Sequence, residues 1–214
     1  MERPADPPDE PRIIEIESER GGIRCAWHPV AGAEAAVVMV GGGDGGLDGP
    51  ANALYPDLAA DLAARGVAAL RLDFRIHTFP GPMGDGVFDV LRGVDFLGSE
   101  GVQRVGLAGH SFGGAVVIEA GVQSERVASV ATLATQTAGA QRVAELAPTP
   151  LLLVHGLDDE RLPPDCSRLL HDMAGDPKRL ELFEGATHSL RQRREEVRTL
   201  LVDWFTETLA ASER

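Results

Sequence analysis

The 214-residue sequence predicts an α/β fold with a mainly parallel sheet. Three observations lead there. Short apolar runs alternate with longer stretches whose apolar residues recur every three or four positions. Glycine and proline punctuate the boundaries between them. The chain is 43% hydrophobic and carries no internal repeat, which suits one domain with one substantial core. Strands that alternate with helices form βαβ units, and right-handed crossovers put helices on both faces of the sheet.

The elements follow in order. Residues 1–12, MERPADPPDEPR, are rich in proline and acid and lack the apolar centre of a signal peptide. They predict a disordered leader, with a single domain over 13–214. Residues 13–17 and 23–28 read as a first pair of strands around Gly21-Gly22. Residues 36–40 are continuously apolar, as in a strand buried on both faces. Residues 51–65 read as a helix, with Leu54, Leu58 and Leu62 on one side and Gly66 as its C-terminal cap. A strand over 67–74, a helix over 87–97, a strand over 104–108 and a helix over 111–120 come next. Strands over 127–134 and 150–154, a helix over 166–173, a strand over 179–183 and a long helix over 191–209 complete the eight strands and five helices. In the closing helix Val197, Leu200, Leu201, Trp204 and Phe205 predict packing on the sheet.

Composition narrows the function. A net charge of −13 repels phosphate backbones and anionic membrane surfaces, so neither nucleic acid nor a membrane is an expected partner. No apolar run reaches the roughly 20 residues of a membrane span. The two cysteines, Cys25 and Cys166, lie far apart and lack metal-site spacing. Inert thiols in a reducing cytoplasm are the simplest reading.

Chemistry in an open parallel sheet belongs beyond the carboxyl ends of its strands. One such end reads Gly109-His110-Ser111-Phe112-Gly113-Gly114, between a strand and a helix. Glycines on both sides of Ser111 allow a tight turn that lifts the hydroxyl clear of the sheet, and the helix that follows points N–H groups at the same spot. A serine hydroxyl needs a base before it is a nucleophile. The later strand ends offer candidates: His155-Gly156-Leu157-Asp158-Asp159-Glu160-Arg161-Leu162-Pro163 after 150–154, and Gly185-Ala186-Thr187-His188-Ser189-Leu190 after 179–183.

With these motifs in the order Ser, Asp, His, the chain resembles the α/β-hydrolases from about residue 13 onward. It is most similar to the small, lidless dienelactone-hydrolase-like and esterase or thioesterase branches. The resemblance implies an α/β-hydrolase fold without a sizeable lid, since only residues 136–148 stand where lids enter. It implies a triad of Ser111, Asp159 and His188. Asp159 matches the HG-x-x-D pattern and Pro163 its following proline, with Asp158 the alternative. The oxyanion hole would use the backbone N–H of Phe112 and one from Gly41-Gly42-Gly43-Asp44-Gly45-Gly46. Gly43 aligns with the second donor, and Gly42 and Asp44 are the alternatives. No metal or organic cofactor is required.

The remaining polar residues divide as follows. His110 is expected to face away from the chemistry, His155 to shape its loop, and His28 and His171 to be ordinary core or surface histidines. Asp73 and Arg75 read as structural. His77, Phe79 and Met83 are the candidate substrate contacts, in a loop whose Pro80, Pro82 and Phe88 add an apolar wall. The glycine run lacks the Lys-Ser/Thr of a P-loop, and a dinucleotide fingerprint matches only inside a run of glycines. The expected activity is hydrolysis of a small to medium acyl ester or thioester. The alternatives are acyl transfer or peptide cleavage by the same triad, or a hydrolase-like binding module without catalysis.

Overall fold

In the computed structural model, residues 11–78 and 81–210 are described. Among them, strands β1 (Arg12–Ile16), β2 (Ile23–His28), β3 (Ala35–Val40), β4 (Ala68–Leu72), β5 (Arg104–His110), β6 (Val127–Leu133), β7 (Leu151–Gly156) and β8 (Lys178–Phe183) form one sheet. Their order is β1-β2-β4-β3-β5-β6-β7-β8. β2 runs antiparallel to both of its neighbours, and β4 onward are parallel. The chain therefore has the α/β-hydrolase fold. β1 begins at Arg12, the last residue of the stretch read as a leader; residues 1–10 of that stretch lie outside the described residues.

The helices are α1 (Pro50–Ala63), α2 (Met83–Ser99), α3 (Phe112–Gln123), α4 (Asp165–Met173) and α5 (Arg194–Thr208). β3 shows how they divide between the faces. Ala36, Val38 and Val40 pack with Val90, Val94 and Leu97 of α2 and Val116 and Ile118 of α3. Val37 and Met39 pack on the other face with Leu54, Leu58 and Leu62 of α1 and Val197, Leu201 and Phe205 of α5. Each fully buried valine, leucine or phenylalanine contributes about 1.5–3 kcal/mol of transfer free energy, so the two layers supply the bulk of the driving force.

Three elements differ from the sequence reading in ways that bear on the site. α2 starts at Met83 rather than residue 87, because Pro82 precedes it and Asp85 sits favourably in its first turn. That beginning is also tied down: Arg75 bonds both Asp85 (3.1 Å) and Asp89 (2.5 Å). The closing helix is split into a short 3₁₀ turn, Arg191–Arg193, and α5. The helix read over 51–65 does not begin as a regular right-handed helix. Ala51, Asn52 and Ala53 hold φ of 55°, 56° and 60°, a left-handed turn that costs about 1–2 kcal/mol for each L-residue and persists only when tertiary contacts hold it. The connection between β6 and β7 carries one short 3₁₀ turn, Val143–Leu146.

Candidate active site

Ser111 stands between β5 and α3 with φ 56° and ψ −117°, a conformation L-residues avoid. The turn is pinned on both sides. The Ser111 N–H donates to the Leu133 carbonyl (2.9 Å), and the Gly114 N–H donates to the Ser111 carbonyl (3.0 Å). Two of the glycines are sterically required. A Cβ on Gly109 would run into the Gly113 carbonyl, and one on Gly113 into the Gly41 carbonyl. The second contact also seats the glycine-rich loop against the serine turn. Tyr55 holds that loop's base by donating to the Val40 carbonyl (2.8 Å) at the end of β3.

The loops after β7 and β8 meet at this point. The Ser111 hydroxyl lies 3.1 Å from Nε2 of His188, and His188 Nδ1 lies 2.7 Å from Oδ2 of Asp159. A carboxylate is acceptor-only, so Nδ1 carries the proton and Nε2 is free to accept from the hydroxyl. The side chains of Asp159 and His188 are 0% and 14% exposed, so the pair is shielded yet reachable.

Asp159 is surrounded by donors. The amides of Arg161 (2.9 Å) and Leu162 (3.0 Å) donate to Oδ1, and His155 Nε2 lies 3.1 Å from Oδ2. Burial pushes the Asp159 carboxyl up, but the Leu162 amide, His188 and the Arg161 amide outweigh it and hold the acid below the usual carboxylate range. It is a carboxylate at neutral pH. Asp158, the alternative acid, is exposed and takes no part in these bonds.

His155 is buried, and burial lowers its pKa. Its Nε2 faces two acceptors, Asp159 Oδ2 and the Leu162 carbonyl (2.9 Å), so the ring is neutral with its proton on Nε2. Nδ1 then accepts from the Ser167 hydroxyl of α4 (2.7 Å). The loop role expected of His155 is thus a specific one: it donates to the acid itself.

His110 corrects the sequence reading. It does not turn away from the chemistry. Its Nε2–H donates to the His188 carbonyl (3.0 Å), and the two rings lie 4.8 Å apart. Burial lowers its pKa to about 4, so it is a neutral donor. The signal in the sequence was its place beside Ser111: a polar ring there is carried to the mouth of the site whichever way the turn points.

A cleft of about 180 Å³ opens over Ser111. It is lined by Gly41 through Gly45, Gly49, Pro50, His110, Arg161 and His188. The Gly42 Cα lies close enough that a Cβ would stand 3.5 Å from the Ser111 Cβ. A wider opening continues past His110, Arg161 and His188 toward Thr187 and Arg191. Arg161 was not singled out from the sequence, because only the folded loops bring it to the serine.

The expected substrate contacts lie elsewhere. His77 packs against Gly45 and bonds Asp73 (2.7 Å), whose carboxylate also accepts from the Gly46 N–H (2.5 Å). His77 therefore braces the glycine loop from behind, and it is not among the residues lining the cleft over Ser111. Met83 lines a separate surface cleft with Phe88, Glu119 and Gly139. Phe79 lies outside the described residues, as does Pro80. Of that loop, Gly81 packs on the Phe112 ring. His28 is a buried acceptor for Arg71 (2.9 Å), and its pKa is lowered to about 4 by burial and the arginine.

Among the described residues, no group of three or more His, Cys, Asp or Glu is arranged to hold a metal ion. No helix among them is long and apolar enough to cross a membrane.

Comparison with known proteins agrees with this fold. A model of the dienelactone hydrolase family matches residues 55–213. The Escherichia coli O157:H7 protein YfhR, itself uncharacterized, is 33% identical over 109 residues, covering 40% of this chain and 38% of that protein. The chain thus spans well under half the length of the curated relatives it matches. A dienelactone hydrolase from Anabaena variabilis superposes with a TM-score of 0.80 at 18% identity, covering 95% of this chain and 99% of that one. Est1E from Butyrivibrio proteoclasticus gives 0.78 at 17%, over 93% and 99%. An α/β serine hydrolase homologue from Coxiella burnetii gives 0.76 at 20%, over 91% and 97%.

Proposed function

The chain belongs to the dienelactone hydrolase family of α/β hydrolases, and on that premise we propose that it is a serine esterase or thioesterase acting on small to medium acyl groups. The observation that carries this reading is the unbroken line of hydrogen bonds from Asp159 through His188 to Ser111 at the carboxyl end of the sheet. Ser111 attacks the acyl carbonyl as His188 Nε2 takes its proton. Asp159 keeps His188 in the required tautomer and stabilises the imidazolium. The Phe112 N–H, at the start of α3, and the Gly43 N–H receive the oxyanion, with Gly42 and Asp44 the competing loop donors. His188 then protonates the leaving group, and water attacks the acyl-enzyme.

The cleft over Ser111, at about 180 Å³, favours a short acyl chain, with the leaving group in the wider opening past Arg161. Labelling with a fluorophosphonate followed by intact mass tests the reading. One adduct on the wild type is expected, absent from Ser111→Ala and His188→Ala, together with turnover of activated short-chain esters. A folded wild-type protein that takes no adduct would mean that the site binds without catalysis. An adduct accompanied by acyl transfer to an added alcohol or amine in preference to water would reassign it as an acyltransferase.

A further inference from the structure

We propose that Arg194, at the first position of α5, is a positioning residue for the reaction: it sets the backbone turn that fixes both the His188 loop and one wall of the cleft. This inference rests on the triad reading above.

The left-handed turn at Ala51–Asn52–Ala53 is the starting point. Three consecutive L-residues at positive φ do not hold themselves there. The turn also lacks a regular helix's pattern of carbonyl acceptors and donors, so its backbone groups need partners from elsewhere. Arg194 supplies them. Its Nε donates to the Ala51 carbonyl (3.0 Å) and its Nη2 to the Ala53 carbonyl (3.3 Å). Nη2 also bonds the Asp57 carboxylate (2.5 Å), one turn further along α1. The planar fork of a guanidinium matches two carbonyls at fixed spacing in a way a single ammonium does not.

What the turn holds is catalytic. The Ala51 N–H donates to the Ser189 carbonyl (2.9 Å), the residue directly after His188. Gly49 and Pro50, directly before Ala51, line the cleft over Ser111. Arg194 therefore lies at the end of a short covalent and hydrogen-bonded path: guanidinium, turn, Ser189 carbonyl, His188. Leu190 follows at φ 58° and is buried, so the His188 loop has little room to readjust if that anchor moves. Arg194 itself is not among the residues lining the cleft over Ser111 and acts only through this path, which makes it a positioning residue and not a catalytic one.

Arg198 provides the internal control. It lies one turn further along α5 and pairs with Asp57, Asp61 and Glu195, the same α1–α5 charge network. It bonds neither turn carbonyl. If Arg194 mattered only as an ion pair between two helices, the two arginines would behave alike.

The test measures fluorophosphonate labelling rate, and kcat and KM on an activated ester, for wild type, Arg194→Ala, Arg194→Lys and Arg198→Ala, with melting temperature alongside. Arg194→Ala is expected to lower kcat and the labelling rate about tenfold to a hundredfold, with KM nearly unchanged. Arg198→Ala should stay within about twofold, the level of an exposed ion pair. Free guanidinium, well below denaturing concentration, should restore part of the labelling rate of Arg194→Ala and leave the other proteins unaffected. Should Arg194→Ala fail to fold, Arg194→Lys carries the test: retained charge with a kcat deficit supports the role. A folded Arg194→Ala that labels at the wild-type rate overturns the proposal and leaves the triad reading intact. So does an equal loss in Arg198→Ala. A wild type that takes no label at Ser111 overturns the triad reading instead, and this proposal with it.

Discussion

Two aspartate–histidine couples 2.7 Å long stand at the carboxyl end of the sheet: Asp159–His188 and Asp73–His77. Only one of them faces a serine hydroxyl. The free nitrogen of His188 meets the Ser111 hydroxyl at 3.1 Å, and its carboxylate is 0% exposed and held by two amides and a second imidazole. In the other couple the His77 side chain is 42% exposed, and the carboxylate spends a lone pair on the Gly46 amide. The first couple is aimed by what surrounds it; the second aims a loop. A histidine beside a strand-end carboxylate is therefore no site by itself. Both acids are buried, so what sets the first couple apart is the serine hydroxyl at the far nitrogen of its histidine.

The sharpest way to break that contrast is to neutralise each acid in turn. Asp159→Asn removes the charge that stabilises the imidazolium and offers an N–H where His188 needs an acceptor, so the ring loses its tautomer. A fall in kcat of about a thousandfold or more on an activated ester is expected. Asp73→Asn keeps a carbonyl that can accept from Gly46, and a loss of no more than about threefold is expected. Comparable losses from both variants would show that the glycine loop, and not the enclosure of Asp159, limits the reaction.

A middle-sized effect should come from Ser167, which reaches the first couple only through His155. Removing its hydroxyl leaves Nδ1 of a buried neutral ring without a donor, at a cost of about 1–3 kcal/mol in stability. Without that anchor the ring can shift away from Asp159, and a drop in kcat of about threefold to tenfold is expected for Ser167→Ala, without change in KM. Urea unfolding and steady-state kinetics read the two quantities separately. A stability loss with unchanged kcat would mean that the two backbone amides alone suffice to aim the acid.

The regions differ in how far their sequence announces them. The sheet was legible because its strands are continuously apolar and its helices have a four-residue period, and the serine turn was legible because glycine on both sides of Ser111 has a steric reason visible in the letters. Asp159 and His188 were legible as strand-end residues, and the fold brings them into one hydrogen-bonded line with Ser111. The supporting shell was not. His155 and Ser167 are 12 residues apart and meet only because α4 folds back on β7. The left-handed turn at Ala51–Ala53 could not be read, because alanine favours the right-handed helix and the leucine spacing begins directly after it at Leu54; tertiary contacts from Arg194 and Ser189 override the local preference. His77 is ambiguous in the letters, because a histidine after a strand end looks the same whether it faces a cleft or braces a loop.

The smallest expected effect concerns His110, which supports the first couple by donating to the His188 carbonyl. Burial lowers its pKa to about 4 from an ordinary value of 6.5, outweighing the His188 carbonyl, which favours the charged form. Between those two values the unfolded chain binds a proton that the folded protein does not. Stability is therefore undiminished above about pH 6.5, falls as pH drops toward 4, and loses nothing further from this group below that. The contribution is on the order of 1–3 kcal/mol, reduced by the partial exposure of the ring. His110→Gln keeps an N–H in the place of Nε2 and removes the titration. The variant should retain activity within a few-fold at pH 7.5, while its urea midpoint falls less steeply between pH 6.5 and 4. Part of the slope should remain, because His28 at the end of β2 is held neutral to about the same pH by burial and Arg71. An unchanged slope in His110→Gln would mean that the ring takes up its proton without cost, and the His188 loop would then have to tolerate a charged neighbour. The kinetics of the same variant decide what the ring does at neutral pH: a loss much beyond a few-fold would show that the imidazole itself, stacked 4.8 Å from His188, supports the base in a way that an amide donor does not.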